Sequence, residues 1–139
     1  MKRILVPLDG SEQAWDAFEY AVDEFPTGTI VLLHVIDPVE AGYTASATVP
    51  GYTEQWYEQA KERAENLFED ARSRASDADI ETEIEVGRPS RIIVEFTDEL
   101  DIDQIVMGSH GRSGVSRILL GSVAEAVVRR SPVPVTITR

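Results

Sequence analysis

A chain of 139 residues without cysteine can bury roughly 68 to 70% of its unfolded surface in one domain spanning 1–139, and it excludes disulfides, thiolate catalysis and cysteine-based metal sites. Its 25 acidic and 13 basic side chains leave a net charge of −12, which argues against duplex DNA, RNA phosphates or an anionic membrane as partners. Only Lys2 and Lys61 among the basic residues are lysine; such a surface suits a halophile, where a Debye length of about 3 Å at 1 M salt screens self-repulsion, with an ordinary acidic protein as the alternative.

The first apolar run, 4–8, contains Pro7 and stops at Asp9, too short for a signal-peptide core. No stretch approaches the roughly 18 apolar residues of a membrane span, so a soluble cytoplasmic protein is expected. Runs 4–8 and 29–35 are nearly continuously apolar, the pattern of central parallel strands covered on both faces. Helix 11–24 carries Ala14, Trp15, Phe18, Ala21 and Val22 on one stripe, and Trp56, Ala60, Ala64, Leu67 and Ala71 recur at helical spacing further on.

Between these two helices, 37–53 is rich in Gly, Pro, Thr and Ala and is expected to form a flap over a site. In 80–86, Ile80, Thr82, Ile84 and Val86 alternate with three glutamates, predicting a half-exposed edge strand. Helix 89–100 opens with Pro89 and turns Ile92, Ile93 and Phe96 inward. Strand 104–108 and helix 122–130 follow, the helix closing on two arginines before Pro132. The last strand, 133–138, contains Pro134 and belongs at an edge. Alternating strands and helices predict an α/β fold, an open doubly wound sheet of five strands with right-handed crossovers.

Ligands of such sheets bind beyond the carboxyl ends of the strands. The loops expected there hold Leu8, Asp9, Gly10 and Ser11; His34, Val35, Ile36 and Asp37; and the stretch from Gly108, Ser109, His110 and Gly111 to Gly114. Glycines let successive amides approach an anion and adopt positive φ. Gly121 and Ser122 follow, and Ser122 with Glu125 fits a capping box opening a helix whose first amides favour negative charge. Arg112 and Arg117 sit between the two halves of this loop, placed to offset phosphate charge.

The chain resembles the universal stress proteins, from its opening Ile-Leu-Val-Pro-Leu-Asp-Gly-Ser through Leu33-His-Val to Ser131-Pro-Val-Pro-Val. The spacing Gly-x2-Gly-x9-Gly-Ser/Thr of the ATP-binding members is met by Gly108, Gly111, Gly121 and Ser122. The resemblance implies strand order 3-2-1-4-5 with helices on both faces, of the adenine nucleotide alpha hydrolase-like type, and a homodimer joined through the last strand. It places Pro7, Asp9 and Val35 around the adenosine, Met107 and Gly108 near sugar and phosphates, and Gly111, Gly121, Ser122 and Val123 on the phosphates. It implies ATP, with Mg2+ or Mn2+ held mostly by phosphate oxygens and water. Leu8, Ser109, His110 and Arg112 complete the candidate set.

Plainer roles stand beside these. Asp9 can cap the first helix or, as the resemblance implies, touch ribose or metal. Ser122 can be an N-cap and still donate its hydroxyl proton to phosphate. His110 reads as solvated or beside a phosphate, His34 as packed or internally hydrogen-bonded, and Asp101 and Asp103 as solvated turn residues. There is no Gly-x4-Gly-Lys-Ser/Thr loop, no Gly-x-Ser-x-Gly elbow and no His-Glu-x-x-His pair, and no catalytic base stands out. The reading is a dimeric, ATP-binding, nucleotide-responsive stress protein, with a slow ATPase or nucleotide-dependent transferase and a nucleotide-free interaction module as alternatives.

Overall fold

A computed structural model describes residues 2–38, 50–109 and 120–139, with the backbone but not the side chains of 50–53. In chain order it contains β1 (Arg3–Pro7), α1 (Glu12–Glu24), β2 (Thr29–Ile36), α2 (Pro50–Arg74), β3 (Asp79–Val86), α3 (Pro89–Glu99), β4 (Gln104–Gly108), α4 (Ser122–Arg130) and β5 (Val135–Thr138). The strands form one parallel sheet in the order β3-β2-β1-β4-β5, as the resemblance implies. No helix among the described residues is long and apolar enough to cross a membrane.

Several boundaries move for local reasons. Ser11 is the N-cap of α1 rather than its first residue, because its Oγ accepts from the Ala14 N–H at 3.2 Å. β5 starts at Val135, two residues late. Pro134 has no N–H to give, and the Ser131 hydroxyl ties up the approach by donating to the Val133 carbonyl at 2.8 Å and accepting from the Val133 N–H at 3.1 Å. Most of the expected flap, residues 39–49, lies outside the described residues, and its last part is helical, since α2 begins at Pro50.

Side chains of β1 alternate between two cores. Ile4 and Val6 face α1 and α2, where Phe18, Leu32, Ala64 and Ala71 pack. Leu5 faces α3 and α4, with Val31, Leu33, Ile93, Ile105 and Val127. Small residues Ala60, Ala64 and Ala71 let α2 lie close to the sheet, and Phe68, which the helical stripe read from the sequence omits, is the large side chain it buries. The guanidinium of Arg74 covers the Trp15 ring at 3.8 Å from its centroid, joining α2 to α1. At the far edge of the sheet β3 departs from strict alternation: Ile80 is half-buried beside an exposed Glu81, but Thr82, Glu83, Ile84 and Glu85 are all half-buried, and Val86 at the strand's end is 43% exposed.

Polar groups fasten the amino end of the sheet. Asp103 Oδ2 accepts from the Arg3 N–H at 2.8 Å and the Asp103 N–H donates to the Arg3 carbonyl at 2.8 Å, so this carboxylate joins β1 to the approach to β4 rather than standing merely solvated. The Arg3 side chain donates to the Leu100 carbonyl at 2.8 Å and forms a two-pronged pair with Glu81 at 2.9 and 3.1 Å. Those hydrogen bonds hold the Glu81 carboxyl below its ordinary range, against a smaller opposing effect of burial.

Glu81→Gln is expected to cost about 0.5 kcal/mol at neutral pH, since the pair is largely exposed. A carboxyl whose folded pKa is depressed stabilises the fold above its unfolded pKa of about 4.3 and loses that contribution as pH falls through the folded value. Urea titrations of wild type and variant should therefore differ at pH 7 and converge in acid; a gap that persists at the lowest pH would exclude the ion pair as its source.

Candidate functional site

Strand order reverses between β1 and β4, and the site lies there. These two strands are in register only at Ile4 with Gln104 and Leu5 with Ile105. Beyond that ladder their carboxyl ends border a cleft of about 280 Å³. Its rim is Pro7, Leu8 and Asp9 at the end of β1, Val35 on β2, Met107, Gly108 and Ser109 at the end of β4, and Gly121, Ser122 and Val123 at the start of α4. His110, Gly111, Arg112 and Arg117 lie outside the described residues. The other walls, Gln13, Ala14, Leu33, Pro89, Ile93 and Ala124, are not marked by the glycine motif. Leu33 was nonetheless legible, two residues before Val35 and hence on its face of the strand.

The α4 start corrects two expectations. Gly121, not Ser122, is the N-cap, with φ −69° and ψ 165°, and no side chain caps it. Glu125 does not close a capping box; its carboxylate pairs with Arg129 at 3.0 Å, one turn on. The first intrahelical bond runs from the Glu125 N–H to the Gly121 carbonyl at 2.9 Å. The amides of Ser122, Val123 and Ala124 thus have no acceptor within the helix, and all three residues border the cleft.

Asp9 is likewise not the cap of α1, a role Ser11 takes. Its Oδ1 accepts from the Ser11 N–H at 2.9 Å, which shapes the loop. Gly10 completes this turn at φ +87°, a conformation costly for any residue with a Cβ.

Gly108 owes its identity to packing. Its φ is not positive; instead an added Cβ would overlap the Gln13 backbone carbonyl and lie 2.7 Å from the Gln13 Cβ. Helix α1 thus presses against the end of β4. Neither Gly108 nor Gly121 has the positive φ expected of the loop glycines.

The universal stress protein family model matches residues 1–139. The chain belongs to this family. Universal stress protein MJ0577 of Methanocaldococcus jannaschii is 32% identical over 155 residues, covering 99% of this chain and 94% of the relative. The solved MJ0577 structure superposes with a TM-score of 0.81 at 34% identity, over 99% of this chain and 94% of that one. A universal stress protein solved in complex with cAMP matches at 26% identity with a TM-score of 0.67, covering 99% and 96%.

In this universal stress protein the cleft has two halves. Leu33, Val35, Ile93 and Met107 supply apolar wall, while the first α4 amides and the Asp9 carboxylate border it as polar groups. Among the described residues no three His, Asp or Glu side chains converge as a metal cage, so a divalent ion here needs most of its oxygen ligands from a bound molecule and water. His34 is internally bonded, its Nδ1–H donating to the Leu8 carbonyl at 2.8 Å.

The two glycines should respond differently to alanine. Gly108→Ala forces α1 off β4 and is expected to cost about 1 to 3 kcal/mol. Gly121→Ala, at an ordinary φ, should cost less than about 1 kcal/mol. Unfolding midpoints in urea decide it, and equal losses would refute the packing role assigned to Gly108.

Proposed function

We propose that this universal stress protein is a cytoplasmic, homodimeric regulatory protein that binds ATP in the cleft between β1 and β4. The observation that carries the reading is the meeting of three amides without a helical acceptor, those of Ser122, Val123 and Ala124, with an apolar wall in one cleft at the strand reversal. The amides and helix dipole suit phosphates, and the wall suits a base and sugar. The relative solved with cAMP supports an adenine nucleotide. Pro7, Leu8, Asp9 and Val35 then lie on the nucleoside side, and Gly108, Ser109, Gly121, Ser122 and Val123 on the phosphate side; the assignment of His110, Gly111 and Arg112 to the phosphates rests on the sequence motif alone. Mg2+ or Mn2+ accompanies the triphosphate, with Asp9 as the protein's contribution.

The dimer reading is supported by β5, an edge strand whose four residues are all half-buried and whose outer side pairs with no other strand among the described residues. The halophilic reading is supported by the excess of acidic side chains.

Calorimetric titration with Mg-ATP, AMP and cAMP tests the ligand: saturable Mg-ATP binding is expected, and no heat with any of the three would overturn the assignment. Ser122→Asp separates binding from stability. A carboxylate in the first turn of α4 stabilises the helix by about 0.3 to 1 kcal/mol yet repels phosphate, so Tm should hold or rise while affinity falls at least about tenfold. Unimpaired binding by that variant would place the phosphates elsewhere. For the salt reading, Tm should climb steadily between 0.1 and 2 M KCl as self-repulsion among the carboxylates is screened; a flat or falling Tm would reject it.

A further inference from the structure

On β2, Leu33 and Val35 line the cleft while His34, between them, turns to the opposite face of the sheet. There it borders a second groove with Arg63 and Asn66 of α2, which adjoins the cleft at Asp9 and Val35. The parallel ladder from β1 to β2 ends where the Leu8 N–H donates to the Leu33 carbonyl at 2.9 Å, and no backbone rung between the two strands follows it among the described residues. One more rung would use the Leu8 carbonyl. The His34 Nδ1–H takes that carbonyl instead, at 2.8 Å.

We infer that His34 is a positioning residue for the nucleotide cleft, a side-chain rung that holds the Leu8 carbonyl where β1 and β2 part and so sets the path of the ligand-facing loop. The inference rests on the binding reading above. A carbonyl only accepts, so the ring carries its proton on Nδ1. Leu8 is followed at once by Asp9, whose Oδ1 holds the Ser11 N–H at 2.9 Å, and by Gly10 at φ +87°. The imidazole contact thus fixes the carbonyl at the entry of this turn, whose N–H side is held by Leu33 and whose exit is held by the Asp9 and Ser11 side chains. His34 is not among the residues that line the cleft, and a donor at the Nδ1 position is what the role requires.

The test compares His34→Leu, which keeps bulk but loses the donor, with His34→Asn, whose side-chain amide places an N–H near the Nδ1 position. Two readouts are taken on folded protein with Tm as the check: Mg-ATP affinity, and hydrogen exchange at the amides of Asp9, Gly10 and Ser11. His34→Leu is expected to bind about tenfold more weakly and to exchange faster in this turn, the scale of one lost hydrogen bond, with Asn restoring both most of the way. Leucine binding and exchanging like wild type, or asparagine no better than leucine, would overturn the inference. If wild type binds no nucleotide, the binding reading fails by itself and exchange alone decides the part played by His34.

Discussion

Helix α1 lies so close to the end of β4 that Gly108 has room for hydrogen and nothing larger. The approach is set from both ends of the helix. Phe18 and Ala21 sink into the core beneath the sheet, and Ser11 fixes where the first turn begins. With α1 in that place, Asp9, Gly108 and Ser109 border one cleft, and Gln13 and Ala14 form part of its wall. The glycine commonly read as making way for an anion therefore first makes way for the protein's own backbone, and the cleft is what that packing leaves.

The two ends of the sheet are built on opposite terms. At the amino end the polar groups are paired: Arg3 with Asp103, Leu100 and Glu81, and the Thr29 hydroxyl with Asp79 at 2.8 Å. These contacts tie β1 to the approach to β4 and to β3, and β2 to β3. At the carboxyl end the ladder between β1 and β4 stops early, and the first amides of α4 keep no helical acceptor. Unspent hydrogen-bonding capacity there favours a ligand, because an amide sheltered from water without a partner costs about 1 to 3 kcal/mol. The stability of the closed end permits the open one.

Much of this was legible because burial leaves a periodic trace. The apolar runs around Ile4 and Val31 marked strands covered on both faces, and alternation of Ile80, Thr82 and Ile84 with glutamates marked an edge. Pro134 marked the other edge. The candidate residues from Pro7 to Asp9 and from Met107 to Ser109 share a cleft because a parallel sheet delivers every strand's carboxyl end to one side. Capping was misread at Ser122 and left open at Asp9, since a hydroxyl or carboxylate near a helix start fits several turn geometries, and only backbone dihedrals separate them. Phe68 escaped notice because a helix with apolar residues on more than one stripe offers two faces, and the sheet selects one.

By itself the sequence determined the alternating elements, the two edge strands, the acidic surface and the membership of the universal stress protein family, all properties carried by local pattern or by motif spacing. Tertiary structure alone decided that Gly108 yields to Gln13, that Gly121 begins α4, that Arg3 reaches across to Glu81, and that His34 replaces a backbone rung at Leu8. Each of these joins residues on separate elements. Their meeting depends on how helices seat against a twisted sheet, to within a few tenths of an ångström, and no periodicity along the chain encodes that distance.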